Sequence, residues 1–270
     1  MKMLLMASFT FREALHKRVV NGVLILTVAF LLLYSLGIWL AVRELEGVLQ
    51  ILARQYVMLG MNAVSMIGAL LAVFLSVGTI SSEVEAGTLH AIVPKPLSRR
   101  DVLWGKWLGY AAMLSAYVLL LALATCGVVA LFSGVWMWQA LPASLLLVVQ
   151  ALVLLSLSVF GTTFLPTVAN GVAVFGLYSV AMMSGFVEQL GSMLRNETMV
   201  NIGIFVSLLV PSDAMGKLSA SVLQQGASYI ERAGPFIVLS EPSIWMVVYA
   251  AGYIVALLLA AQVVFNRKDL

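Results

Sequence analysis

Four windows of this chain contain no Asp, Glu, Lys or Arg: residues 19–42, 55–82, 107–187 and 242–266. A helix that crosses a bilayer needs about 20 apolar residues, so three windows match one span each and the 107–187 window is too long for one. That window divides at SGVWMWQALPA, residues 133–143, and again at Pro166, where the flanking apolar runs are each long enough to cross. The pattern predicts six spans, near 19–42, 56–81, 107–132, 143–165, 167–187 and 243–266. The expected fold is all-α and membrane-integral, with residues 1–270 forming a single transmembrane domain.

Three polar or mixed segments lie outside those spans. Residues 1–18 begin with an apolar run, MLLMASFTF, that passes into REALHKR without the small-residue cleavage site of a signal peptide. They predict either a short interfacial helix or an extension of the first span. Residues 83–106 form a charged, turn-punctuated island. Residues 188–241 contain MVNIGIFVSLLV at 199–210, apolar for too short a length to cross, and then Pro211. That segment predicts a re-entrant or interfacial element, the alternative being a soluble outer loop with an apolar patch. Ser212 is expected to cap a second short helix, with Asp213 in its first turn.

Composition agrees with the hydropathy pattern and excludes a soluble domain: 62% of residues are hydrophobic, against about 45–50% apolar usage in soluble proteins. Lys and Arg set the orientation. With an even number of spans, Lys2, Arg12, Lys17, Arg18, Lys95, Arg99, Arg100, Lys106, Arg267 and Lys268 share one face, and only Arg43, Arg54, Arg195, Lys217 and Arg232 fall on the other. Both ends of the chain and the island are therefore expected in the cytoplasm. Trp39, Tyr56, Trp136, Trp138 and Trp245 fall at outer span ends, and Trp104 and Trp107 at an inner one, as interfacial or as packing rings. Cys126 lies inside the third span and has no cysteine to pair with.

Candidate chemistry is sparse. The predicted spans hold no charge, which argues against an ion-coupled transporter and for an apolar, amphipathic or lipid-like cargo. Their polar amides, Asn21, Asn62, Gln150, Asn170 and Gln262, read as interhelical hydrogen-bonding groups, and Gly105 with Gly109 as a small-residue helix contact. His16 and His90 are far apart, so neither a metal site nor a nucleophile–base pair is expected. Gly105-Lys106 and Gly216-Lys217 lack the upstream glycine and following Ser or Thr of a phosphate loop. No catalytic, cofactor or metal residue is assigned, and no nucleic-acid partner. Any nucleotide chemistry has to come from another polypeptide.

The island therefore carries most of the functional information. Ser82 with Glu85, and Ser98 with Asp101, match the Ser-x-x-acid capping pattern. Gly87 permits a sharp turn and Thr88 can cap a new helical turn; Leu89, Ile92 and Val93 then offer an apolar face before Pro94 and Pro96. A short helix across the mouth of the bundle suits docking in a partner's groove.

The string Glu83-x-Glu85-x-Gly87-Thr88-Leu89, followed by Pro96-Leu97-Ser98-Arg99 and then Trp104-Gly105-Lys106, resembles the signature between spans two and three of the exporter-like ABC permeases of the second type. The likeness extends over the whole chain, from the basic amino-terminal segment through six spans to Pro211-Ser212-Asp213 before the last. Val93-Pro94-Lys95 and Ala214-Met215-Gly216 depart from the family's usual pattern. The resemblance implies that Glu83, Glu85, Gly87, Thr88, Leu89, Ile92, Pro96, Ser98, Arg99 and Lys106 form a coupling helix and its flanks, received by a cytoplasmic ATP-binding subunit. It further implies two copies of that ATPase, which bind the ATP and Mg, and a second permease chain, identical or homologous, in a prokaryotic plasma membrane. A membrane scaffold that recruits a cytoplasmic protein without transport is the competing expectation.

Overall fold

The computed structural model describes residues 2–44, 49–77, 99–226 and 242–267. All regular structure among them is helical: α1 Lys2–His16, α2 Arg18–Glu44, α3 Leu49–Ser76, α4 Arg99–Ser133, α5 Ala140–Gly161, α6 Thr167–Leu194, α7 Glu197–Leu209, α8 Ser212–Gln224 and α9 Trp245–Arg267. Six of these, α2 to α6 and α9, are long and apolar enough to cross a membrane, as the hydropathy pattern predicts. Residues 83–98 of the island lie outside the described residues.

Besides α3, which starts at Leu49 rather than 56, two helices run well past their predicted ends. α4 starts at Arg99 rather than 107, and α6 continues beyond 187 to Leu194, carrying Glu188 inside it. Charge marks where apolar lipid contact becomes unfavourable, but Arg, Lys and Glu are good helix formers and do not stop the backbone. Residues 99–106 are thus helix rather than loop. Pro142 lies in the first turn of α5, where its missing N–H costs no helical bond, and Pro166 occupies the extended position just before α6.

α5 is the central post of the bundle. Buried residues occur all around it, and it packs against α3, α4, α8 and α9. Polar side chains bind these neighbours to one another. Gln150 donates to Ser65 Oγ on α3 at 2.8 Å, the Trp107 indole on α4 donates to Ser156 on α5 at 2.9 Å, and Trp104 donates to Gln262 on α9 at 2.9 Å. Asn170 donates to the carbonyl of Ser158 at 3.0 Å. Gln150, Asn170 and Gln262 are therefore the interhelical groups expected of them, whereas Asn62 bonds the Met58 carbonyl of its own helix. Trp104 and Trp107 are packing rings, while Trp136, Trp138 and Trp245 are exposed. Cys126 is buried and free.

α1 is a helix in its own right, not an extension of the first span. It breaks at Lys17 and lies against the beginning of α4. Gly105 and Gly109 make this close approach possible, since a Cβ on Gly109 would meet the Ala7 carbonyl oxygen at 2.6 Å and one on Gly105 would meet Met6 Cβ at 2.7 Å. Lys17 closes the corner by donating to the Tyr110 hydroxyl at 2.7 Å.

Candidate functional site

Of the predicted coupling residues, Glu83, Glu85, Gly87, Thr88, Leu89, Ile92, Pro96 and Ser98 fall outside the described residues. Arg99 opens α4, and Lys106 lies two turns further along that helix. Lys106 is buried, only 4% exposed, whereas Arg100 is exposed.

The Pro211-Ser212-Asp213 element is described in full and occupies the tip of a re-entrant hairpin. α6 ends on Arg195, whose left-handed backbone (φ 53°) lets its N–H reach the Gly191 and Ser192 carbonyls. Asn196 then caps α7 by accepting from the amides of Thr198 and Met199. α7 runs back along α6: Gly191 faces Met199 and Val200, and Gly203 faces Glu188. At Val210-Pro211 the chain bends by 111° into α8, which climbs away again. Gly216 faces Gln150 and Ser65 near the middles of α5 and α3, Ser219 donates to the Ala143 carbonyl at 2.9 Å, and the Arg54 guanidinium donates to the carbonyls of Leu223 and Gln225. The contacts of α7 thus run inward and those of α8 outward, so the hairpin enters and leaves on one face, the face opposite α1 and the end of α9. Residues 199–210 are the descending arm of a re-entrant element.

Depth follows from the partners. The Tyr249 and Tyr253 hydroxyls of α9 donate to the Leu208 and Leu209 carbonyls at 2.7 and 2.8 Å, satisfying groups that the helix break leaves free. Tyr253 is eight residues into α9, about 12 Å at 1.5 Å per residue. Asp213 packs against Gly185, nine residues before the end of α6 and about 13 Å from it. Both measures bring the tip two to three helical turns inside the ends of α6 and α9.

At that depth lies a charged cluster. Lys217 Nζ is 2.5 Å from Glu188 Oε2 and 3.1 Å from Asp213 Oδ2, and the three side chains are between 7% and 15% exposed. All three residues belong to the 188–241 segment beyond the predicted fifth span, and Glu188 lies on the part of α6 that outruns it. Removing three charges from water is tolerable because the ammonium pairs with both carboxylates. Asp213 sits in the first turn of α8, as expected, but Ser212 does not cap the helix: Pro211 holds the cap position, and Ser212 Oγ is buried without a hydrogen bond. Tyr178 lies between this cluster and Ser65, which extends a polar seam toward the bundle centre. The Asp213–Lys217 spacing of one helical turn was readable in the sequence; Glu188 carried no signal beyond marking the end of an apolar window. Among the described residues no three metal-ligating side chains gather.

Six helices long and apolar enough to span, an amino-terminal helix packed on the third of them and a re-entrant hairpin before the sixth define a multi-pass membrane protein. The family model for ABC-2 family transporter proteins matches residues 6–270, nearly the whole chain, and the chain belongs to that family. A search of curated proteins finds no match to it.

Proposed function

We propose that this chain is the permease subunit of an ATP-driven exporter-type transporter, in which a separate cytoplasmic ATPase supplies the energy and the permease carries the motion across the membrane. The observation that carries the reading is the family match over residues 6–270 on a chain whose sequence has no phosphate loop. Residues 83–106 are the segment the ATPase engages, with Leu89 and Ile92 as docking side chains and Glu83, Glu85, Gly87, Thr88, Pro96, Ser98 and Arg99 shaping and flanking the helix. The complex has two permease chains and two ATPase subunits, with ATP and Mg bound by the latter. Both ends of the chain face the cytoplasm of a prokaryotic cell.

Co-purification with a Walker-type ATPase encoded beside this chain tests the reading. Leu89→Arg and Gly87→Pro are expected to abolish co-purification while the permease still inserts. Retention of the ATPase by both variants would remove the coupling assignment and favour a scaffold.

A further inference from the structure

α6 meets the bundle along a narrow stripe that includes Asn170, Val174, Tyr178, Ala181, Gly185 and Glu188, mostly polar or small residues. Its other sides are exposed. It packs extensively on α7 and only lightly on α3, α5 and α8, whereas α8 packs extensively on α5. The re-entrant hairpin therefore divides at Val210-Pro211: α7 goes with α6, and α8 goes with the central post. Proline has no N–H, so residue 211 donates no helical bond across the break, and the α7 ladder ends with the Val210 amide on the Val206 carbonyl.

Named side chains tie the two parts. Asn170 bonds Ser158 at one end of α6, Tyr178 reaches Ser65 of α3 near its middle, Tyr249 and Tyr253 bond the end of α7, and the charged cluster closes the distal half. The cluster is asymmetric in a way that matters. Glu188 belongs to α6, but Lys217 and Asp213 both belong to α8, one helical turn apart. When Glu188 is in place, Lys217 pairs with both acids; were Glu188 withdrawn, Lys217 would keep Asp213. A buried ion pair is costly to break because a lone charge is left behind; here Lys217 keeps a partner, and the group that loses its counter-ion is Glu188 on the moving side.

We propose that α6 and α7 move as one arm against a body of α3, α4, α5, α8 and α9, and that Lys217 is the latch, shared by Glu188 and Asp213 when the arm is closed and passing wholly to Asp213 when it is open. Gly185 gives Asp213 room against α6 in the closed state. The device is a property of this chain and does not depend on the identity of the ATPase. Its two acids have opposite roles: Glu188 favours closure, and Asp213 makes opening affordable to the lysine.

Double electron–electron resonance on the full-length chain in nanodiscs tests this. Spin labels go on cysteines at Thr198 (arm) and Leu141 (body) in a Cys126→Ala background, diluted with unlabelled protein; a Leu177 and Thr198 pair reports the arm alone. Lys217→Met is expected to add a longer-distance population to the arm-to-body pair and leave the arm-only pair unchanged. Asp213→Asn is expected to lose any longer-distance population. Glu188→Gln, which keeps side-chain volume, is expected to behave like Lys217→Met and serves in its place if that variant is not recovered in the membrane. An unchanged arm-to-body distance in the lysine or glutamate variant, or equal broadening of the arm-only pair, would overturn the moving arm. A longer-distance population in Asp213→Asn would overturn the exchange.

Discussion

The hydroxyl of Tyr253 donates to the carbonyl of Leu209 across 2.8 Å, joining the last span to the turn at the bottom of the re-entrant hairpin. Tyr249 does the same for Leu208, one residue earlier. Carbonyls at a helix break have no water to turn to at membrane depth, so these hydroxyls stabilise the only irregular backbone found there among the described residues.

Replacing both tyrosines by phenylalanine should weaken the tip with little change in packing. Each lost bond is expected to cost about 0.5–1 kcal/mol. Hydrogen exchange should accelerate at the amides of residues 205–213, with little change in α5. Unaltered exchange at the tip would show that the hydroxyls do not hold it.

Gly109 tests the seating of α1. A Cβ there meets backbone, the Ala7 carbonyl oxygen at 2.6 Å, so α1 has to shift. Gly109→Ala should destabilise by about 1–3 kcal/mol, the usual range for overpacking. Gly127→Ala adds a Cβ with nothing within 4 Å and should be neutral or slightly stabilising. Thermal unfolding of the two variants in the same detergent compares them, and increased protease access to residues 1–18 in Gly109→Ala alone would locate the effect.

Arg54 closes the other end of the hairpin by donating to the carbonyls of Leu223 and Gln225 from the beginning of α3. Hydrogen bonds to charged groups contribute about 1.5–3 kcal/mol, so Arg54→Met should raise local exchange at residues 220–225 roughly tenfold or more. α7 lies beyond the Val210-Pro211 break, and its exchange should stay unchanged.

The spans were legible because lipid imposes a simple length and polarity requirement, and each charge-free window met it. Helix boundaries were less legible for a physical reason: Arg99, Lys106 and Glu188 limit what lipid accepts without limiting the helix, so α4 and α6 outrun their windows. Pro211 and the short apolar run before it were enough to anticipate the hairpin. The site it builds was not, since Glu188 meets Lys217 only after the chain has turned at Arg195 and again at Pro211. The cap position expected of Ser212 is held by Pro211, which makes no side-chain cap bond but whose fixed φ, observed at −72°, suits a position next to the first helical turn. Gly105 and Gly109 were legible as a small-residue pair, but not their partner, because nothing local in the sequence says that α1 returns to lie on the third span.

The coupling account is tested most directly by ATP turnover of the adjacent Walker-type ATPase, measured in nanodiscs with the parent permease, with Leu89→Arg permease and without permease. Turnover that changes on addition of the parent chain and returns to the permease-free rate with Leu89→Arg is the predicted result. Turnover that is the same in all three preparations would contradict it.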